Sequence, residues 1–312
     1  HQRVRGQQHA GQVEQPVIGR EQRHARGVSA EGVGERCDVG NDAGLVTEEE
    51  IKTIPQKLDF PKARIIVNKV KKAHIASTHL EVDLSDLKSK HGDHSHSHHL
   101  TYGEIENIIH EADLSSKTKT ISKSIYKILA ECEAKVHDST VDHVHFHEVG
   151  NPDSLIDVVL AGYILSKIHY DRVYSTPVKL GKGTVKIQHG TYPVPPPASA
   201  ILAEGFQIAE VPDAMKEENI ELSTPTGLAI LKYLEPEFRD GWPGGKLLGH
   251  GYGAGSMNLD GYPNLFRIAL LEAKSERTGS EAVNLPYLKG EVMEISCNID
   301  DQTAEKTGWC ME

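Results

Sequence analysis

The stretch 150-GNPDSLIDVVLAGYIL-165 decides how the surrounding chain is read. Asn151 can accept hydrogen bonds from the free amides of a first helical turn, Pro152 suits the first helical position, and Asp153 lies where the helix dipole favours an anion. From Leu155 to Leu165 the residues are apolar almost all round, the mark of a helix buried on every side, except for Asp157. A buried carboxylate without a partner costs several kcal/mol, so Asp157 is expected to face a cation, a metal or strong donors, or else a backbone amide or a lysine. Asp153 is one turn back on the same side.

Immediately before it runs 141-VDHVHFHEVG-150. Read as a strand, it sends His143, His145 and His147 to one side and Val144, Phe146 and Glu148 to the other. Neighbouring imidazoles on such a strand are roughly 6.5–7 Å apart, wide for two ligands of one ion, so the strand alone makes no complete site. A strand end near Glu148 and Gly150 lets His147 and Glu148 reach one cleft. His147, Glu148, Asp153 and Asp157 are therefore the expected catalytic constellation, suited to a hard or borderline cation or to proton transfer. His145 and His147 are candidate metal ligands.

Outward from this centre the pattern is that of a folded α/β protein from Ile51 to about Lys274. ARIIVNKV and THLEVDL read as strands. The tract KSKHGDHSHSHH interrupts them, and its His91, His94, His96, His98 and His99 lack apolar neighbours, so residues 88–100 are expected to form a flexible surface loop able to gather nickel, zinc or copper. In TYGEIENIIHEAD, Thr101 and Glu104 have capping-box spacing, and Ile105, Ile108, Ile109 and Ala112 share a face. The stretch through His137 repeats that pattern, which makes Cys132 a core residue and not a nucleophile.

Further on, VKIQHGTYPVPPPASAIL joins a strand to a proline-rich helix start, with Gly205 ending the helix and His189 in the preceding turn, where it could contact substrate. In ELSTPTGLAIL, Ser223 or Thr224 caps a helix whose free amides and hydroxyls, at Thr224, Thr226 and Gly227, make an anion pocket. GHGYGAGSMNLDG reads as a tight loop in which Gly253 and Gly255 let backbone amides approach a phosphate or a flat ring; it matches neither the P-loop nor the dinucleotide fingerprint. Lys179, Lys182 and Lys186 could attract carboxylate or phosphate groups.

Composition narrows the function classes. A net charge of −11 without a basic stripe argues against a general nucleic-acid binder. Cys37, Cys132, Cys297 and Cys310 form no CxxC pair, which fits a reducing cytoplasm, and no apolar run approaches the roughly 20 residues that span a bilayer. Residues 1–46 hold six Arg, eight Gly, no Lys and no aromatic residue, whereas from Lys52 onward Lys outnumbers Arg 23 to 5. That opening segment is expected to be disordered, and its coding bias suggests a non-native stretch as the alternative to a natural tail. The chain starts at His1 and stops soon after a new strand-like run, GEVMEISCNIDD, so it is expected to be a fragment.

Together the histidine-rich tract, VHFHEVGNPDSLIDVV, KLGKGTVKIQHGTYPVPPPASAILAEG, ELSTPTGLAIL and GYGAGSMNLDGYPNLFRI resemble the LarC-type nickel-insertion family, in order, over roughly residues 55–312. The resemblance implies a mixed α/β main domain with buried helices beside a sheet (51–274), a linker (275–288) and the truncated start of a C-terminal ferredoxin-like α+β domain (289–312), where Asp300 and Asp301 are weak candidate ligands. It further implies insertion of nickel into pyridinium bisthiocarboxylic acid mononucleotide at the expense of CTP, with magnesium or manganese. The product would be the nickel-pincer cofactor, passed to a lactate racemase-type apoenzyme, and the full-length protein would be a homo-oligomer. The family's opening strand, with its loop rich in Asp, Ser and Gly, is absent here, and most of the C-terminal domain is missing, so activity is in doubt if nucleotide binding rests there. The residues alone leave two alternatives open: a nickel chaperone or store without catalysis, and a metal-dependent phosphohydrolase.

Overall fold

A computed structural model describes residues 46–85, 100–144, 146, 149–187, 190–212, 215, 219–260 and 262–273, and the backbone of 291–297. The segment 1–45, the histidine-rich tract 86–99 and the linker lie outside these residues, as do 298–312.

The fold is mixed α/β. Two short helices, α1 (Glu48–Lys52) and α2 (Ile54–Lys57), open it, the first held by a capping box between Thr47 and Glu50. Strands β1 (Arg64–Lys72) and β2 (Ile75–Asp83) form an antiparallel hairpin turned at Ala73 and His74, both at positive φ. Helix α3 (Tyr102–Glu111) starts with the expected Thr101–Glu104 capping box, and α4 (Ser116–Val136) follows. After a 3-10 turn at Val141–His143 comes α5 (Pro152–Ser166), capped by Asn151 with Pro152 first. The second half contributes β3 (Arg172–Ser175), β4 (Gly181–Lys182), β5 (Thr184–Ile187), β6 (Gly190–Pro193), α6 (Pro197–Leu202), β7 (Ile220–Glu221), α7 (Pro225–Leu234), β8 (Glu237–Phe238), β9 (Gly245–Ala254), β10 (Leu265–Ala273) and β11 (Glu291–Cys297).

Seven strands form the main sheet in the order β1-β2-β9-β10-β11-β3-β8, with two two-stranded sheets, β4-β7 and β5-β6, beside it. The strand-like run near the C-terminus thus begins as β11, antiparallel to β10 and parallel to β3. One face of the sheet supplies Ile65, Leu80, Val173, Phe266 and Ile268 to a single core with Ile125 and Leu129 of α4, Ile156 and Val159 of α5, and Leu228 and Leu231 of α7. Helix α5 is the centre of that layer: Leu155, Ile156, Val158, Val159, Leu160, Ala161, Ile164 and Leu165 are all buried, as its all-round apolar sequence requires. None of the described helices is long and apolar enough to cross a membrane.

Two local readings need correction. Val141–His143 is a 3-10 turn and not a strand, because Thr140 and His143 bond to each other through Oγ1 and Nδ1 at 2.8 Å and curl the backbone locally. The alternation is real nonetheless: Val144 and Phe146 enter the core one at a time without a strand ladder. The glycine-dense segment is also no loop in its first half. Gly249 to Ala254 belong to β9, whose Gly251 and Gly253 stand opposite Ile268 and Phe266 on β10.

Candidate functional site

The start of α5 gathers the features that chemistry can use. Asn151 accepts from Ser154 N at 3.1 Å through Oδ1, which fixes the first turn and the direction of Asp153 and Asp157. Beneath this turn lies Tyr126 of α4, fully buried, its hydroxyl donating to the Val149 carbonyl at 3.3 Å and its ring meeting Phe146 edge to face at 6.0 Å between centroids. Burial raises the Tyr126 hydroxyl well above its ordinary range, and the negative charges of Asp157 and Asp153 raise it further. The hydroxyl therefore stays protonated and acts as a fixed donor that anchors the turn. Both carboxylates are close enough for that field to be felt, so the helix start forms an acidic patch next to a locked phenol.

Asp157 is half-buried and not shut inside the core, because α5 leaves this one side of its first turns partly open. A carboxylate at that position can meet a cation arriving from outside, whereas a fully enclosed one could not. Asp153 is half-buried as well.

A backbone contact joins this centre to the residue that follows the histidine-rich tract in sequence. Leu100, the first described residue after it, donates its amide to the Gly150 carbonyl at 3.0 Å. Gly150 is needed there: a Cβ at this position would stand 2.5 Å from Phe146 Cβ and 3.0 Å from the Leu100 carbonyl oxygen. Two motifs about fifty residues apart in the chain are thereby tied together at the approach to α5.

A second polar group surrounds the start of α7. Thr224 caps the helix, its Oγ1 accepting from Gly227 N at 3.4 Å; Ser223 donates to the Lys179 carbonyl at 2.8 Å, and Ser199 donates to Glu221 Oε1 at 2.7 Å. Lys179 is buried, Lys182 donates to the Met215 carbonyl at 2.7 Å, and Lys186 is exposed. Thr226 is half-buried beside the cap, and Gly227 is buried in the first turn. Gly253 is interior to β9, and the Gly255 amide is engaged with the Asn264 carbonyl at 3.1 Å.

The expected ligands His91, His94, His96, His98, His99, His145 and His147, together with Glu148 and His189, lie outside the described residues. Among the described residues no three or more His, Cys, Asp or Glu side chains are grouped as a metal site. Sequence reasoning missed Tyr126, although its place between Ser122 and Leu129 on the buried stripe of α4 was a usable signal. It also missed the Ser199–Glu221 pair, which joins two distant segments and leaves no local pattern. Cys132 is confirmed as a core residue, its thiol pushed up to about 12 by burial and its sulfur 3.3 Å from the Ala198 carbonyl oxygen.

The fold is mixed α/β and presents half-buried carboxylates, Asp153 and Asp157, at a helix N-terminus. Residues 40–312 match the Ni_insertion family, described as nickel insertion protein, and the chain belongs to that family. It is 34% identical over 273 residues to the pyridinium-3,5-bisthiocarboxylic acid mononucleotide nickel insertion protein of Geobacillus kaustophilus, covering 87% of this chain and 64% of that protein. Its identity to the like-named protein of Akkermansia muciniphila is 37% over 232 residues, covering 74% of this chain and 53% of that protein. To that of Acetivibrio thermocellus it is 32% over 279 residues, covering 89% and 64%. The chain thus spans between 53% and 64% of the length of these relatives. No solved structure matches it significantly.

Proposed function

We propose that this chain serves the insertion of nickel into pyridinium-3,5-bisthiocarboxylic acid mononucleotide, driven by CTP with magnesium or manganese, to give the nickel-pincer cofactor of lactate racemase-type enzymes. The observation that carries the reading is the family match across residues 40–312, which includes the helix start at Asn151. Nickel is cargo in this scheme. The histidines of the tract are proposed to capture it from solution; Leu100, which follows them in sequence, is hydrogen-bonded to Gly150 in the turn leading into α5.

At α5, Asp153 and Asp157 supply hard oxygen donors, and His147 and Glu148 are proposed to complete their side of the site. Imidazole and carboxylate hold a borderline cation such as nickel less firmly than sulfur does, so the thiocarboxylates of the substrate can take the ion over from them. Tyr126 keeps the turn in place and does not itself exchange a proton. A magnesium or manganese ion bound to CTP would neutralise phosphate charge; it would bring phosphate oxygens of its own, so two protein carboxylates are enough to receive it. The capped start of α7, with Thr224, Thr226 and Gly227, is proposed to receive an anionic group of a nucleotide.

The test is to incubate the purified protein with nickel, CTP and the thiolated mononucleotide, and to look for the metallated product by mass spectrometry. Product that requires all three supports the reading. Hydrolysis of simple phosphate esters without the thiolated substrate contradicts it.

A further inference from the structure

The connection from β9 to β10, residues 255–264, carries the second half of the glycine-dense motif, to which nickel handling gives no role. Its tip, Ser256, Met257 and Asn258, is exposed, with Met257 43% open to solvent, so burial of the tip's own side chains does not hold it in shape. Polar groups do. The buried Asn264 donates from Nδ2 to the Met257 carbonyl at 3.3 Å, and the Gly255 amide donates to the Asn264 carbonyl at 3.1 Å. Gly255 is required for that close approach, since a Cβ there would stand 2.1 Å from Asn264 Nδ2.

A further hold comes from the other end of the chain. Lys72, the last residue of β1, is buried, and its ammonium donates to Asn258 Oδ1 at 2.6 Å, to the Met257 carbonyl at 2.8 Å and, at longer range, to the Ser256 carbonyl at 3.4 Å. Lysine is almost never buried without partners, and its ammonium is a compact point charge with three donors and no acceptor. Three successive residues of the connection turn an oxygen toward it. Carbonyl and amide oxygens gathered in this way suit a hard cation, and here the cation belongs to the chain itself. Lys72 pairs with Ile75 across the Ala73–His74 turn, so it marks the tip of the β1–β2 hairpin. Strand β2 meets β9 at the pair Thr78–Gly253, beside which His79 Nδ1 donates to the Ala254 carbonyl at 2.9 Å. Lys72 carries the attachment outward from there to the tip of the connection.

We propose that Lys72 is a positioning residue whose ammonium serves as a built-in cation: the β9–β10 connection folds around it, and the tip of the β1–β2 hairpin is thereby latched to that connection. With the ammonium seated, Ser256, Met257 and Asn258 have one arrangement, and Met257 is presented at a fixed place on the surface. With it withdrawn, the inward oxygens lose this donor and the tip opens to solvent while the rest of the fold stays closed. The shape of the connection is thus conditional on where the hairpin tip stands. The latch does not depend on the nickel reading.

Amide hydrogen exchange of the full chain, read by mass spectrometry on peptides covering 255–264 and α5, is the test. Lys72→Met keeps the length of the side chain and removes its charge. It is expected to speed exchange in 255–264 about tenfold or more, because hydrogen bonds to a charged donor are lost, while α5 changes by less than about twofold. Lys72→Ala leaves room for a cation from solution. Propylammonium at about 100 mM is expected to slow exchange in 255–264 of that variant by about threefold or more, whereas tetramethylammonium, a cation without N–H donors, does not. Should the Lys72 variants fail to fold, Asn258→Ala removes one oxygen from the exposed side and is expected to speed exchange in 255–264 about threefold or more. Exchange in 255–264 unchanged in Lys72→Met or, where that variant does not fold, in Asn258→Ala, an equal acceleration in α5, or propylammonium acting no better than tetramethylammonium overturns the proposal.

Discussion

Gly162 offers a direct test of whether the packing of α4 against α5 sets the position of the acidic helix start. A Cβ added at Gly162 would stand 2.2 Å from Ser122 Oγ, 3.2 Å from Ser122 N and 3.3 Å from the Thr118 carbonyl oxygen. Ordinary contact begins at 3.4 Å, so the hydroxyl must give way by about 1.2 Å, and the two backbone atoms leave little room for α5 to follow. Overpacking of this kind costs about 1–3 kcal/mol, against which Gly→Ala inside a helix returns about 1 kcal/mol of propensity. The expected net effect of Gly162→Ala is a loss of up to about 2 kcal/mol.

The clash has an identifiable partner, which makes the argument refutable. Ser122 Oγ is buried without a hydrogen-bond partner, so Ser122→Ala alone is expected to be neutral or stabilising by up to about 1 kcal/mol. In the double variant the worst contact is gone, and the two changes should couple favourably by about 1 kcal/mol or more. Urea unfolding of the four proteins measures this, and the melting temperature should move about 2–4 °C per kcal/mol for a domain of this size. A cycle with no coupling would show that the helices do not meet as described.

Asp157→Asn should reduce nickel insertion at least about 100-fold while changing stability by less than about 1 kcal/mol, since the side chain is half-buried; retained turnover removes it from the mechanism. Gly150→Ala should cost about 1–3 kcal/mol, because the atoms it meets are Phe146 Cβ and main-chain oxygens that cannot swing aside, and it should weaken transfer of nickel without lowering capture by the histidine tract, read by equilibrium dialysis. Cys132, with its thiol pushed up to about 12 by burial, should resist thiol reagents at pH 8 until the protein unfolds; peptide mapping that finds it labelled in the native state contradicts its place in the core. The Thr47 amide, then Tyr163 and Lys167, hold the Glu50 carboxyl below its usual 4.5, so its contribution is present above that value and lost as pH falls through the lowered one. Glu50→Gln should flatten this part of the stability profile, and an unchanged profile would rule the contribution out.

Local chemistry made the helix starts legible. Thr101, Asn151 and Thr224 are caps that act within three residues, so their effect is readable without knowing the fold. The apolar girth of α5 announced its burial for the same reason. What could not be read were properties settled by distant partners. The alternation in 141–148 looks like a strand, but pairing needs a neighbour, and Val144 and Phe146 are instead received by the helical core, with Phe146 against Tyr126. The glycines of 249–254 look like a loop because glycine disfavours strands; β9 forms regardless because β2 and β10 flank it and supply the bulk that the glycines lack. The expectation that Asp157 is enclosed failed in degree: periodicity gives the direction of a side chain, not how far neighbouring segments extend over it.

That last difference bears on how such a site works. Asp153 and Asp157, half-buried above a phenol that stays protonated, form an acidic patch held in place from below. The Leu100–Gly150 bond fixes the main chain where it approaches that patch. Rigidity beneath and access above are both required if a metal is to be received and then released, and a fully buried Asp157 would have supplied only the first.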